Sequence, residues 1–407
     1  MKILFLTIGE LSKLEENAMY PDLLRYFRDQ GNSVTVICSQ ERRNKQPTVR
    51  RIEQGIEVLR VRTGNITKTN LFEKGISTLL IGLQFKRAIN RYYKKVKFDL
   101  FLYSTPPITI ANTIKYLKKR NNALAYLMLK DIFPQNALDI GILKTNGWKG
   151  IITRYFNTKE KRLYRISDCI GCMSEANAKF LRINHPYLED KRIEICPNTI
   201  DPSADNMLDK GFLRDLIGLP RDKIIFICGG NFGKPQGVDF ILAVLKRNEG
   251  KADRQFIFSG GGTEFDRLQK YAKGENIGHV TIMENLKKDE YGRLLDASNV
   301  GLIFLDHRFT IPNFPSRILD YMNHSLPILA ATDQTSDLGA IITENGFGWW
   351  CESDDVEAYQ RILDQICEEP LVIDEMSQIS KEFLRNHYVT EIAYNKVISA
   401  YKSRSMK

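Results

Sequence analysis

At 407 residues the chain is too long for one ordinary hydrophobic core, and two domains of about 200 residues each fit the usual range. With 43% hydrophobic and 27% charged residues and modest Gly and Pro, the composition excludes a disordered or fibrous chain. The net charge of +10 is uneven: residues 1–200 hold 35 of the 59 Lys and Arg but only 18 of the 49 Asp and Glu, so the first half is basic and the second acidic. A basic half points toward a negative partner, either nucleic acid or an anionic membrane.

In chain order, the apolar run at 3–8 meets Glu10, Glu15 and Glu16 almost at once. It is too short for a signal peptide and reads as a first buried strand. Met19, Leu23, Leu24 and Phe27 then recur at helical spacing, and Gly31 supplies a stop. Further strands are expected at 34–38, 56–61, 100–103, 124–129, 169–173 and 193–196. Residues 75–85 are the nearest approach to a membrane span, at about half the ~20 residues required. Cys169 and Cys172 form a CxxC, but at a strand's period of two they point to opposite faces, against a redox or zinc pair. The odd count of seven cysteines, mostly within apolar runs, suits reduced thiols in the cytosol.

The turn-rich stretch 196–202 reads as a linker. A second series follows, with strands expected at 224–228, 255–259, 280–283, 300–305, 327–331 and 348–351. Helices are expected over 238–246, 263–273, 288–297 and, last, 373–401. Buried strands alternating with helices imply parallel sheets covered on both faces. The expected fold class is α/β, two facing Rossmann-like, doubly wound domains with a cleft at the carboxyl ends of their strands. Their expected limits are 1–198 and 199–375, with a helical segment 376–407 that packs back on the first domain.

Three turns of the second series carry chemistry. In Gly229-Gly-Asn-Phe-Gly-Lys-Pro-Gln-Gly237 a buried strand runs into a glycine-rich turn and then a helix, which suits an anion on backbone amides, with Lys234 as a mobile cation. The alternative is a tight connection with an exposed lysine. The turn at Gly260 and Gly261 repeats the pattern on the same sheet edge. In the third, Pro315 and Ser316 start a helix, Arg317 can hold a diphosphate through two donors, and Asp320 one turn on can accept from ribose hydroxyls. Taken alone, that segment also reads as a capped helix with an Arg–Asp surface pair.

These segments resemble the retaining glycosyltransferases of family 4, which have the GT-B fold, and the resemblance covers nearly the whole chain. Pro197-Asn-Thr-Ile-Asp201 matches the family's Pro-Asn-Gly-Val-Asp-like hinge. The turn at 230–237 matches its Gly-Arg-Leu–x3–Lys-Gly turn, with Asn231 and Gln236 where the family carries arginine and lysine. Of the family's Glu-x7-Glu signature, Asp320 stands for the second acid and Pro312 replaces the first. Pro315-Ser316-Arg317 is similar to the Pro-Ser-Lys variant of capsule and O-antigen transferases. In the first half, Leu129-Lys-Asp-Ile-Phe-Pro-Gln135 resembles the family's Asp-Leu-Trp-Pro motif.

The resemblance implies a transferase that moves a sugar, an N-acetylhexosamine or a related one, with retention from a UDP-sugar. The implied acceptor is a polyprenyl-diphosphate-linked saccharide on the cytoplasmic leaflet, and no metal cofactor is expected. The implied donor residues are Gly230, Asn231, Gly233, Lys234, Gly260, Gly261, Ser316, Arg317 and Asp320. On the acceptor side stand Gly9, Glu10, Ser104, Lys130 and Asp131, and the catalytic set is Asp131, Lys234 and Arg317. Asp131 also reads as the cap of the following turn. A nucleotide-sugar epimerase of the same fold and a membrane-binding module without turnover are the competing readings.

Residues 84–97 set Phe85, Ile89, Tyr92 and Val96 on one stripe flanked by six Lys and Arg. With 71–83 before it, this face is expected to rest on anionic lipid. Nucleic acid is not expected, because no stacking platform or recognised motif accompanies the charge. The expected location is cytoplasmic, peripheral on the inner face of the cell membrane.

Overall fold

A computed structural model describes residues 1–8, 11, 13–66, 69, 71–204, 208–274 and 277–405. The chain forms two compact units, Met1–Asp201 with Val389–Lys407, and Pro202–Tyr388.

Unit 1 is built on β1 (Lys2–Leu6), β2 (Ser33–Glu41), β3 (Val49–Glu53), β4 (Ile56–Thr63), β5 (Leu100–Ser104), β6 (Leu124–Leu129), β7 (Cys169–Cys172) and β8 (Arg192–Ile195). Their order is β3-β4-β2-β1-β5-β6-β7-β8. All neighbours are parallel except β3, which runs antiparallel to β4 at the edge. The order turns back at β1, where Leu4 pairs with Thr35 on one side and Phe101 on the other. Ile3, Phe5, Val36 and Leu102 are buried there because helices cover both faces.

Unit 2 repeats the plan with β9 (Ile224–Asn231), β10 (Arg254–Gly261), β11 (Val280–Glu284), β12 (Val300–Phe304), β13 (Ile328–Thr332) and β14 (Gly348–Glu352), in the parallel order β11-β10-β9-β12-β13-β14. Here the order turns back between β9 and β12. Phe226, Phe256, Phe258, Phe304 and Tyr359 fill its core.

Several expectations change at this level. The helix expected over 373–401 breaks at Tyr388 and Val389 into Leu371–His387, which belongs to unit 2, and Thr390–Ser405, which belongs to unit 1. The chain leaves unit 1 at Asp201, three residues past the expected 198, and re-enters at Val389 rather than at 376. Ile200 and Val389 form a parallel bridge there, and the Asp22 carboxylate accepts the Asp201 amide at 2.9 Å. In the helix Leu71–Tyr92 the buried stripe runs Phe85, Ile89 and then Tyr93, while Tyr92 is half-buried, because the helix ends and its phase with it. Among the described residues, no helix is long and apolar enough to cross a membrane.

Candidate active site

The carboxyl end of β9, the helix Lys288–Asp296 and the start of the helix Arg317–Asn323 frame a cavity of about 390 Å³ lined by Gly229, Gly230, Asn231, Gln236, Tyr291, Pro315, Ser316, Arg317 and Asp320. It lies where the strand order of unit 2 turns back, the place at which open α/β sheets bind ligands. Tyr321 fixes this frame. Its buried hydroxyl accepts from the Gly229 N–H at 3.2 Å and donates to the Leu302 carbonyl at 3.1 Å, tying β9 to β12. Gly230 has φ +109°, a conformation L side chains rarely adopt. At Gly229 a β-carbon would stand 1.9 Å from the Tyr291 hydroxyl, so glycine is what lets that ring close the cavity wall.

Arg317 opens the helix Arg317–Asn323 and reaches back over β9. Its Nη1 donates to Cys228 Sγ at 3.2 Å, and Nη2 would be 3.6 Å from a β-carbon at Gly230. No carboxylate among the described residues lies within ion-pair distance of it. A guanidinium has five donors and keeps its charge, so most of this group's bonding capacity is unspent. Asp320 stands one turn further along the same helix. Its carboxyl pKa is raised by the surrounding protein, with His324, Lys288 and Arg317 pulling it back.

Five expected donor residues therefore line one cavity: Gly230, Asn231, Ser316, Arg317 and Asp320. Gly260 lies against Gly230 from β10, and Gly261 pairs with Asn231. Gly233 and Lys234 do not line the cavity; Lys234 is exposed at the start of the turn Lys234–Gln236. From that turn Gln236 reaches the wall instead, and its Oε1 accepts the Gly233 N–H at 2.9 Å. Tyr291, Gln236, Gly229 and Pro315 were not singled out as donor residues. Gly229 was legible as the first of two glycines at a strand end, whereas Tyr291 looks in sequence like any aromatic of an amphipathic helix.

The carboxyl edge of unit 1 is a separate site. After β5 the chain makes Thr105-Pro106-Pro107, and Thr105 Oγ1 accepts the amides of Lys130 at 3.0 Å and Asp131 at 3.2 Å. The Lys130 ammonium lies 3.3 Å and 3.4 Å from the carbonyls of Pro197 and Cys196, and burial lowers its pKa to about 8. The Asp131 carboxylate accepts from Asn136 at 2.7 Å, and burial raises its pKa to about 6. Ser104, the last residue of β5, is buried at 2% exposure. Gly9 and Glu10 lie outside the described residues.

Two family models match: Glycosyltransferase Family 4 over residues 21–204 and Glycosyl transferases group 1 over residues 209–383. The probable glycosyltransferase WbjE of Pseudomonas aeruginosa is 26% identical over 337 residues, covering 81% of this chain and 80% of its own length. Among solved structures, sucrose-phosphate synthase from Thermosynechococcus elongatus superposes with a TM-score of 0.77 at 15% identity, with all of both chains covered. Anabaena Alr3699/HepE, in complex with UDP-glucose, does so with a TM-score of 0.71 at 12% identity, over 99% of this chain and 100% of its own. These likenesses establish the GT-B fold for two parallel-sheet α/β units. With one family model over each unit, the chain is a glycosyltransferase made of a Glycosyltransferase Family 4 domain followed by a Glycosyl transferases group 1 domain.

Proposed function

We propose that this glycosyltransferase moves a sugar, an N-acetylhexosamine or a related one, from a UDP-sugar to a polyprenyl-diphosphate-linked saccharide, with retention of configuration. The observation that carries the donor half is the guanidinium of Arg317, bonded to Cys228 Sγ with most of its donors unspent, in a glycine-walled cavity at the turning point of the unit 2 sheet. The UDP-glucose bound by the structurally similar HepE supports the same choice of nucleotide.

In this reading the diphosphate lies against Gly230, Asn231 and Ser316, and Arg317 donates to it. Asp320 accepts from the ribose hydroxyls. Lys234, exposed on the adjoining turn, swings to the same diphosphate. The bond between the sugar's anomeric carbon and the diphosphate oxygen breaks as the acceptor oxygen bonds that carbon from the same face. The acceptor's proton passes to the leaving diphosphate oxygen, and UDP departs. Negative charge on the diphosphate is greatest in the transition state, so these cations act where they lower the barrier, without a divalent ion. Lys130 and Asp131 hold the acceptor. The proposed lipid anchor and the basic first half support a reaction at the inner face of a membrane, in surface polysaccharide synthesis.

The test is calorimetric titration of UDP into the chain and into Arg317→Ala. A charged hydrogen bond is worth ~1.5–3 kcal/mol, so the variant should bind about tenfold or more weakly with its fold intact. Equal affinity would remove Arg317, and the donor reading with it. Chelator in the assay and the anomeric configuration of the product, read by NMR, examine metal independence and retention.

A further inference from the structure

Two helices of unit 1 leave large apolar side chains in water in a regular pattern. On Gly147–Ile166, Trp148 is 68% and Ile151 70% exposed, and with Tyr155 they recur at i, i+3 and i+7, one face of the helix. On Leu71–Tyr92 the same spacing exposes Ile76, Leu79, Leu80 and Leu83, opposite the buried Phe85 and Ile89. Both helices pack against the turn Ile108–Ile110 that follows β5. Each returns from the carboxyl edge of the parallel sheet to start the next strand. Their apolar first halves therefore lie at the edge that carries Lys130 and Asp131. Phe133, two residues past Asp131, meets Phe156 edge-on at 5.0 Å, and Phe156 in turn meets Tyr155.

On the more exposed of the two faces the charge at the surface has one sign. Gly147–Ile166 carries six Lys and Arg and a single acid, Glu160, which is buried against Tyr164. The Lys149 ammonium lies 5.8 Å from the Trp148 ring and that of Lys159 4.9 Å from the Tyr155 ring. Rings beneath cations at the rim of an apolar face match the level where a bilayer's acyl chains give way to its headgroups. A second copy of the chain would set like charge against like. A nucleic acid would use the cations and leave Trp148 and Ile151 in water.

We infer that the exposed faces of Gly147–Ile166 and Leu71–Tyr92 together dock the chain on an anionic bilayer, with the Phe133–Phe156 contact holding the Asp131 loop at headgroup depth. The inference rests on the lipid-linked acceptor proposed above and adds the surface that meets the lipid. The helix Gly147–Ile166 thereby becomes the main anchor beside the segment 71–83.

The test is flotation of the full chain with phosphatidylcholine vesicles, with and without about 30% phosphatidylglycerol. The chain should float with the anionic vesicles only, and less so as salt rises. Trp148→Glu with Ile151→Glu should weaken binding about tenfold or more, because both apolar side chains leave the interface. Arg154→Gln with Lys159→Gln should weaken it and flatten the salt dependence. All four positions lie outside the donor cavity, so UDP affinity should stay as in the parent, and that also checks the fold. Failure of the parent to float, or flotation of Trp148→Glu/Ile151→Glu equal to it, overturns the inference. So does a parent dimer that this variant dissociates, found without vesicle binding. A chain that floats but binds no UDP upholds the docking face and defeats the donor reading instead.

Discussion

Asp131 and Lys130 are sequence neighbours that burial drives toward neutrality from opposite sides, to about 6 and about 8. The consequences for stability have opposite pH windows. For Asp131 the folded value lies above the ordinary 3.8, so the native chain holds the extra proton between the two. Its favourable contribution is complete below about pH 4 and disappears as pH rises through about 6. For Lys130 the folded value lies below the ordinary 10.5, and the unfolded chain holds the extra proton, so stability recovers as pH rises from about 8 toward 10. Asp131→Asn removes the first window. Urea denaturation at pH 4, 5, 6 and 7 should show the variant gaining on the parent as pH rises, with the difference levelling off above about 7. A constant difference across that range would mean that the carboxyl is not desolvated in the folded chain. Asn136 and the carbonyls of Cys196 and Pro197 supply neutral partners only, so a bound acceptor can add bonds to both groups.

Thr105 shows how neighbouring strands build that loop. It follows β5, and its hydroxyl receives two amides from the chain leaving β6, so the two strand ends are held as one piece. Thr105→Val keeps the shape and removes the acceptor, leaving two amides unpaired at a cost of about 1–3 kcal/mol. Thr105→Ser keeps it. The valine variant should lose thermal stability and the serine variant should not; equal melting of both would place those amides in contact with water. No feature of the sequence marks Thr105, since its role comes from the pairing of β5 with β6. The strands themselves were legible, because continuous apolar runs such as Leu124–Leu129 have no other use in a chain of this composition. β3 was not, because Val49-Arg-Arg-Ile-Glu53 lies at an exposed edge and its adjacent arginines break both an apolar run and an alternating pattern. Gly230, Ser316 and Arg317 announced a phosphate site through residue type and spacing. Tyr291 and Gln236 did not, because what places them is the packing of the helix Lys288–Asp296 and of the turn Lys234–Gln236 against β9. The break at Tyr388 and Val389 escaped for a related reason: neither glycine nor proline marks it, and the second helix is pulled away by the apolar surface it covers.

That surface belongs to unit 1, although the sequence between Pro202 and Tyr388 separates it from the rest of its core. Ala393, Val397 and Ala400 of Thr390–Ser405 are buried with Ile3, Phe5, Leu24 and Phe27, and Tyr394 meets the rings of Tyr26 and Phe27 at 5.1 Å and 5.0 Å. Unit 1 is thus incomplete until the helix Thr390–Ser405 has been made, whereas the core of unit 2 is closed by a continuous stretch. Two cores of this kind should melt as two calorimetric transitions, and a ligand that binds one unit should raise one of them. UDP should raise the transition of unit 2, where the donor cavity lies. Val397→Ala opens a small cavity in unit 1 at a cost of about 2 kcal/mol, which lowers a transition of that size by about 4–8 °C. The variant should therefore shift the transition that UDP leaves in place, and leave UDP affinity alone. A single transition that both UDP and Val397→Ala move would mean that the two cores unfold as one, and the assignment of the C-terminal helix to an independent unit 1 would fall.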